Sequence, residues 1–154
     1  MNPSVSHSLQ VILASTTAAF GAQILKCVVY RLIRRPVDFR TLVHTGGMPS
    51  SHSALVACLT TCAGLIEGFS STLFAVAMGF AMIVMYDAAG LRRTAGKMAG
   101  ILNKLSEDLY LERPDQVPDR LRELLGHTPV EVIVGAIFGV LVAWGFHLWL
   151  HTAV

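Results

Sequence analysis

Four apolar stretches set the main limit on how this chain can fold. Three of them approach the length of a transmembrane helix, which needs about 20 residues, and they cover roughly residues 9–29, 73–90 and 130–150. The fourth, from Ser53 to Ile66, is shorter and spans a bilayer only as a helix that begins near Ser50. Charged residues form only 14% of the chain, whereas a soluble domain carries about 25%. We therefore predict one all-α domain over residues 1–154, an integral membrane bundle of about four transmembrane helices.

The basic residues lie on one side of this predicted bundle. All twelve fall near the end of the first span or in the connections between spans one and two and between spans three and four. Four spans place these connections on the same side of the membrane, and the positive-inside rule makes that side cytoplasmic. We expect an integral protein of a bacterial inner membrane or its equivalent, with both termini outside. In the alternative interpretation, the basic residues only anchor the topology and contact anionic headgroups.

The connection after the third span is long and polar. We predict that the third span continues as a helix through Arg92 and Arg93 to Lys104. Residues 106–125 are predicted to form a cytoplasmic connection, with a loop over 106–120 and a short interfacial helix over 119–125.

Small residues within the spans indicate close helix packing. Cys58 and Cys62 lie one turn apart on a helix, and their expected role is small apolar packing rather than metal binding or redox chemistry. Gly135 and Gly139 form a small-residue face of the kind that brings membrane helices together. Four short helices bury little surface, which favours a homodimer.

The first candidate site precedes the second apolar stretch and reads Gly46-Gly47-Met48-Pro49-Ser50-Ser51-His52-Ser53. The first amides of a helix are unpaired and its dipole end is positive, so a helix N-terminus binds anions. A histidine at this position suggests chemistry on a phosphate. The alternative is a loop followed by an ordinary serine N-cap.

The second candidate site is His127-Thr128-Pro129-Val130-Glu131. A carboxylate one turn beyond a histidine can accept the proton of one ring nitrogen and leave the other nitrogen nucleophilic. The same residues also fit a capping box, with Thr128 as the N-cap, proline at the first helical position and Glu131 at the third. The two roles of Glu131 do not exclude each other.

The third candidate segment runs from Tyr86-Asp87 to Lys97 and carries the Arg92/Arg93 pair. Arg93 and Lys97 share a helical face, where like charges repel unless an anion lies between them, and arginine binds phosphate with two parallel hydrogen bonds. The alternative is a solvated interfacial face. Asp87 lies at a membrane boundary, where a buried carboxylate needs a cationic partner.

Together the three segments contain the groups needed for phosphoryl transfer without a metal. One histidine attacks phosphorus, a second protonates the leaving oxygen, and cations hold the other phosphate oxygens. No spacing typical of metal ligands is present, and we expect no metal, cofactor or nucleic-acid partner.

These segments resemble the divergent branch of the type-2 phosphatidic acid phosphatase superfamily, which is related to acid phosphatases and vanadium-dependent haloperoxidases. The resemblance extends in order from about residue 22 to residue 140. The superfamily motifs are K-x6-R-P, P-S-G-H and S-R-x5-H-x3-D. Here Arg35-Pro36 resembles the end of the first, Pro49-Ser50-Ser51-His52 matches the second, and His127-x3-Glu131 matches the end of the third.

The resemblance implies a role for each matched residue. His127 would be the nucleophile that forms a phosphohistidine, His52 the general acid, and Glu131 the carboxylate that orients His127. The residues expected around the phosphate are Lys26, Arg35, Ser50, Ser51, Asp87, Arg92 and Arg93.

The chain departs from the superfamily pattern at several points. Ser51 replaces a glycine, Lys26 lies nine residues before Arg35 instead of seven, and glutamate replaces aspartate at residue 131. Arg122 lies one residue too close to His127 for the third motif, so Arg92 or Arg93 would supply that cation. The superfamily core has six helices, of which four are predicted here.

These observations predict a metal-independent lipid phosphatase with a cytoplasmic site and a phospholipid substrate drawn from the bilayer. The first substrate hypothesis is phosphatidylglycerol phosphate, followed by phosphatidate and polyprenyl (pyro)phosphate. The rival hypotheses are a non-catalytic protein that binds lipid headgroups and a small anion carrier. A vanadate haloperoxidase is disfavoured, because that chemistry suits a soluble site exposed to oxidant.

Overall fold

The computed structural model describes residues 7–34, 47–109, 121 and 126–152, apart from the side chains of residues 91–93 and 151. Over these ranges the chain forms helices and no strands. The helices are α1 (His7–Leu32), α2 (Ser51–Glu67), α3 (Thr72–Ala89), α4 (Leu91–Leu109) and α5 (Pro129–Thr152).

The length and composition of the helices confirm the predicted membrane bundle. Three segments are long and apolar enough to cross a bilayer, namely α1, the run Thr72–Leu109 that contains α3 and α4, and Pro129–Leu150 within α5. Helix α2 is a shorter apolar helix of 17 residues. At 1.5 Å per residue it rises about 26 Å, somewhat less than the roughly 30 Å of a bilayer core.

Helix α2 lies at the centre of the bundle and packs against α1, α3 and α5, while α1 also contacts α5. The core consists mostly of small side chains, which allow the helix backbones to approach closely where lipid tails give no hydrophobic drive for association. Cys58 and Cys62 are buried in this core, so their predicted packing role is confirmed. The other core residues are Ala14, Ala18, Ala22, Ala54 and Ala143.

Gly135 and Gly139 bring α5 into contact with the backbone of α2. A Cβ atom at Gly135 would clash with the backbone of Ser50, and one at Gly139 would clash with the backbone of Ala54. The predicted small-residue face of α5 is therefore confirmed, and it fixes α5 against the first turns of α2.

The ends of four helices meet at one end of the bundle. The amide of Ser50 before α2 donates to the carbonyl of Glu131 in α5 at 3.1 Å, and the amide of His127 donates to the carbonyl of Ala88 in α3 at 3.1 Å. Gly47 lies against the side chains of Lys26 and Tyr30 in α1. All three candidate segments therefore converge at this end.

The helix after the third span is longer than predicted. A break at Gly90 (φ −106°, ψ −80°) separates α3 from α4, and α4 continues past Lys104 to Leu109. The prediction of a loop from residue 106 was therefore wrong for residues 106–109, because Leu105 and Leu109 continue the one-turn spacing of an amphipathic helix. Residues 110–120 lie outside the described residues.

Only one residue of the predicted interfacial helix over 119–125 has a described secondary structure. Leu121 lies outside any helix. The side-chain amide of Asn103 makes two hydrogen bonds to the backbone of Leu121. It donates to the Leu121 carbonyl and accepts from the Leu121 amide, each at 2.9 Å. The remainder of that prediction lies outside the described residues.

Candidate functional site

Ser50 caps helix α2 and connects it to the preceding loop. Its backbone is extended, and its hydroxyl accepts hydrogen bonds from the amide of Ser53 at 3.4 Å and the hydroxyl of Ser53 at 3.0 Å. Both serines are completely buried. The N-cap interpretation therefore holds for Ser50, while His52 is exposed on the first turn of α2.

Glu131 forms the predicted capping box and contacts His127 with the same carboxylate. Its Oε2 accepts from the amide of Thr128 at 3.0 Å, and its own amide donates to the Thr128 hydroxyl at 3.3 Å. The same Oε2 lies 3.2 Å from Nδ1 of His127. A neutral His127 that donates its Nδ1 proton to this carboxylate keeps its lone pair on Nε2.

The surroundings of His127 favour its neutral form. Only 5% of the residue is exposed, and burial lowers the pKa of His127 below its ordinary value. The charges of His52 and Lys26 lower this pKa further, whereas the Glu131 carboxylate opposes the shift. A neutral imidazole is the form that can act as a nucleophile.

The two histidines lie next to each other although they are 75 positions apart in the sequence. Their ring centroids are 6.5 Å apart and the rings are inclined at 63°. A nitrogen attacks phosphorus from about 3 Å, and a general acid lies about 3 Å from its oxygen. The distance between the two rings is therefore of the size needed to hold a phosphate group between them.

Lys26 brings a buried positive charge to the same end of the bundle. It is only 2% exposed, on the last turns of α1, and its charge acts on both Glu131 and His127. A buried ammonium in a membrane protein is costly unless it pairs with anionic groups or a ligand. Its position suits a group that neutralises a bound anion.

Tyr30 lies at the candidate site, although its residue type and position did not single it out in the sequence. A Cβ atom at Gly47 would clash with the Tyr30 hydroxyl and would lie 3.0 Å from Cε of Lys26. Gly47 also has a φ of +89°, which L side chains rarely adopt. The sequence could have indicated Tyr30 through its spacing of four from Lys26, which places both residues on one face of α1.

Comparison with known proteins identifies the family. The sequence matches the divergent PAP2 family over residues 7–142. The chain belongs to the divergent PAP2 family. It is also 41% identical to the uncharacterized membrane protein YuiD of Bacillus subtilis (strain 168) over 140 residues, which cover 84% of this chain and 89% of YuiD. No solved structure matches the chain.

The family match confirms the resemblance drawn from the three motifs. It spans α1 to α4 and the first half of α5, and so includes every candidate segment. The chain is a membrane protein of a family related to phosphatases.

The structure describes only some of the other residues expected at the site of this divergent PAP2 protein. Ser51 is the first residue of α2 and is half-buried, and Asp87 is half-buried on the last turn of α3. Arg92 and Arg93 lie in the first turn of α4, and their side chains are outside the described set. Arg35 lies outside the described residues.

The described part of this divergent PAP2 protein holds no group of three or more His, Cys, Asp or Glu side chains that could bind a metal ion. Among the described residues, the charged and titratable groups at this end of the bundle include His52, His127, Glu131, Lys26 and Tyr30.

Proposed function

We propose that this protein is a membrane lipid phosphatase that hydrolyses a phosphomonoester through a phosphohistidine at His127. The observation that carries the proposal is the arrangement of His127, which is buried, bound to Glu131 through Nδ1 at 3.2 Å and placed 6.5 Å from the ring of His52. This arrangement provides a neutral nucleophile and a second titratable group on the side where a leaving oxygen would lie.

In the first step, Nε2 of His127 attacks phosphorus and forms a P–N bond. The P–O bond to the lipid breaks, and protonated His52 transfers its proton to the departing oxygen. Glu131 accepts the hydrogen bond from Nδ1 and stabilises the positive charge that develops on the imidazole.

In the second step, water attacks the phosphohistidine. His52, now neutral, takes a proton from the water as the new P–O bond forms. The P–N bond breaks, which releases inorganic phosphate and neutral His127. Both imidazoles return to their starting protonation states.

The phosphate oxygens would be held by Lys26 and by the N-terminus of α2. The first amides of a helix point out of its N-terminal end and attract anions. Ser51 contributes the first helical amide of α2. Arg35, Arg92 and Arg93 remain proposed phosphate ligands, as does Asp87 as a partner for these cations. Ser50 acts on the phosphate through the cap that holds this loop in place.

The position of the site supports a lipid phosphate as substrate. The site lies at the end of the bundle that carries the basic residues, which the positive-inside rule assigns to the cytoplasmic leaflet. Exposed His52 is accessible from that surface. Phosphatidylglycerol phosphate is the preferred substrate hypothesis, with phosphatidate and polyprenyl (pyro)phosphate as the alternatives.

The capping bonds of Glu131 favour a second candidate function. Because Thr128 and Glu131 form a complete capping box, the carboxylate has a structural role that does not require catalysis. The second candidate is therefore a protein that binds a lipid headgroup at this site without hydrolysing it.

Phosphate release and covalent labelling separate the two candidates. The purified protein in detergent is given each of the three lipids with a labelled phosphate, and the reaction is quenched to trap a phosphorylated protein. A phosphatase releases phosphate and carries label on His127, and H127N abolishes both. The matched control is H7N, at the opposite end of α1, which should behave like the unmodified protein. Lipid binding without release or label would support the headgroup-binding candidate instead.

A further inference from the structure

Helix α4 has an apolar face that the rest of the described protein leaves uncovered. The residues of this face recur at helical spacing and are 52–74% exposed, and they are Met98, Ile101, Leu102, Leu105 and Leu109. A contiguous apolar surface of this kind marks an interaction site. Helix α4 contacts the bundle chiefly through α3, from which it continues.

The opposite face of α4 is polar and is partly covered by the chain itself. Asn103 is only 6% exposed, and its amide group holds the backbone of Leu121 with two hydrogen bonds. On the helix wheel, Asn103 lies about 140° from the centre of the apolar face. Leu121 therefore lies against the polar face of α4, on the side away from the apolar face.

The position of α4 relative to the bilayer follows from α3. The 18 residues of α3 rise about 27 Å, which uses most of a hydrocarbon core of about 30 Å. Gly90 then ends α3, and α4 begins at the next residue. Because the amide of His127 binds the carbonyl of Ala88, α4 begins at the membrane surface beside the candidate site.

The charges of α4 suit an anionic membrane surface. Its sequence contains four basic residues and two acidic ones. Exposed Lys97 and Lys104 flank Ile101 at the edge of the apolar face, where long side chains can extend to phosphate groups while their stems lie on apolar surface. Basic residues beside an apolar helical face are typical of helices that lie in the plane of a membrane interface.

We propose that α4 lies in the interface of the leaflet next to the His52–His127 site, with its apolar face in the acyl boundary and Lys97 and Lys104 on anionic headgroups. The helix then forms a binding surface for anionic lipid at the edge of the candidate site. This proposal goes beyond the phosphatase function and does not depend on turnover.

Tryptophan quenching by brominated lipids tests the position of the helix. W144F and W149F remove both natural tryptophans, and L102W or L105W then reports on the apolar face. The matched control is E107W, since Glu107 is an exposed residue on the polar face of the same helix. The proteins are reconstituted in phosphatidylcholine vesicles with bromine at shallow or deep acyl positions.

The expected result is that shallow bromines quench L102W and L105W at least twofold more than E107W, and more than deep bromines do. Equal quenching of the two faces would overturn the proposal. Strongest quenching by deep bromines would show that α4 crosses the bilayer, and absent quenching with cross-linking at L102C between copies would show a protein interface. Either result also overturns it.

A second comparison tests the charge preference of the same helix. Brominated phosphatidylglycerol and brominated phosphatidylcholine are each diluted equally into unlabelled phosphatidylcholine vesicles. We expect L102W to be quenched at least twofold more by the anionic lipid, and the added substitutions K97Q and K104Q to reduce this preference towards parity. Parity with both lysines intact would overturn the assignment of anionic lipid to this surface.

Discussion

The backbone amide of Ser50 donates a hydrogen bond of 3.1 Å to the backbone carbonyl of Glu131. This bond joins the residue that caps α2 to the first turn of α5. His52 and His127 lie close to its two ends in sequence, so the bond holds together the two backbone segments that carry the rings. The carbonyl and the carboxylate of Glu131 thus hold both halves of the candidate site.

Gly135 should be needed for this junction because a Cβ atom there would meet the Ser50 backbone. We expect G135A to lower the free energy of unfolding by about 1–3 kcal/mol through overpacking and to reduce phosphate release. The matched control is G145A on the same helix, where nothing lies within 4 Å of the added Cβ. This control should be neutral or stabilise the helix by up to about 1 kcal/mol. Unfolding in detergent and phosphate release measure the two effects, and equal behaviour of the variants would contradict the packing argument.

The charge of Glu131 can be separated from its capping role. In E131Q the side-chain oxygen can still accept from Thr128 and His127, so the cap should remain and the unfolding temperature should change little. Loss of the carboxylate charge should lower turnover by about tenfold or more, because the imidazolium that forms is no longer stabilised. E131A should additionally lose about 1 kcal/mol of cap stability. Full turnover in E131Q would show that the residue is only a helix cap.

Two of the described glycines have a positive φ and provide a matched pair. Gly47 (φ +89°) lies against Tyr30 and Lys26, whereas Gly68 (φ +91°) has nothing within 4 Å of an added Cβ. Alanine at either position should cost about 1–3 kcal/mol of backbone strain. Only G47A should displace Tyr30 and Lys26, and it should therefore raise the KM for the lipid phosphate. An unchanged KM in G47A would remove Lys26 and Tyr30 from the phosphate site.

The pH dependence of the reaction should be bell-shaped, because His127 must be neutral to act as the nucleophile and His52 must be protonated to act as the acid. Burial lowers the pKa of His127, so the acid limb of kcat/KM should lie below the usual imidazole range. The lipid phosphate group can also titrate, and a substrate with a different phosphate pKa serves as the control for that contribution. An acid limb at or above pH 6.5, the ordinary value, would contradict the assignment.

The same shift has a defined sign in stability. The pKa of His127 is lower in the folded protein than in the unfolded chain, so the unfolded chain binds the proton more tightly. Lowering the pH through 6.5 towards the folded pKa should therefore destabilise the fold, and raising it should restore stability. H127N should remove this part of the pH dependence, whereas H7N should leave it intact.

Several features of the fold could be predicted from local sequence because their causes are local. The apolar runs and their flanking residues place α1, α2, α3 and α5 within a few residues of the structure. The capping box of Thr128 and Glu131 spans only four positions and is present. The end of α4 differs from the prediction because the polar, acidic composition of residues 106–120 and their two prolines suggested a loop, whereas Leu105 and Leu109 keep the helical spacing.

The sequence by itself determined the membrane helices, the family and the residue types of the candidate site, since apolar length, capping and motif spacing act over a few turns of chain. Only the tertiary structure decided that His52 and His127 approach to 6.5 Å, that Lys26 is buried beside them, and that Tyr30 covers Gly47. These relationships depend on how closely separate helices approach, and that distance is set by the small side chains and glycines at their contacts.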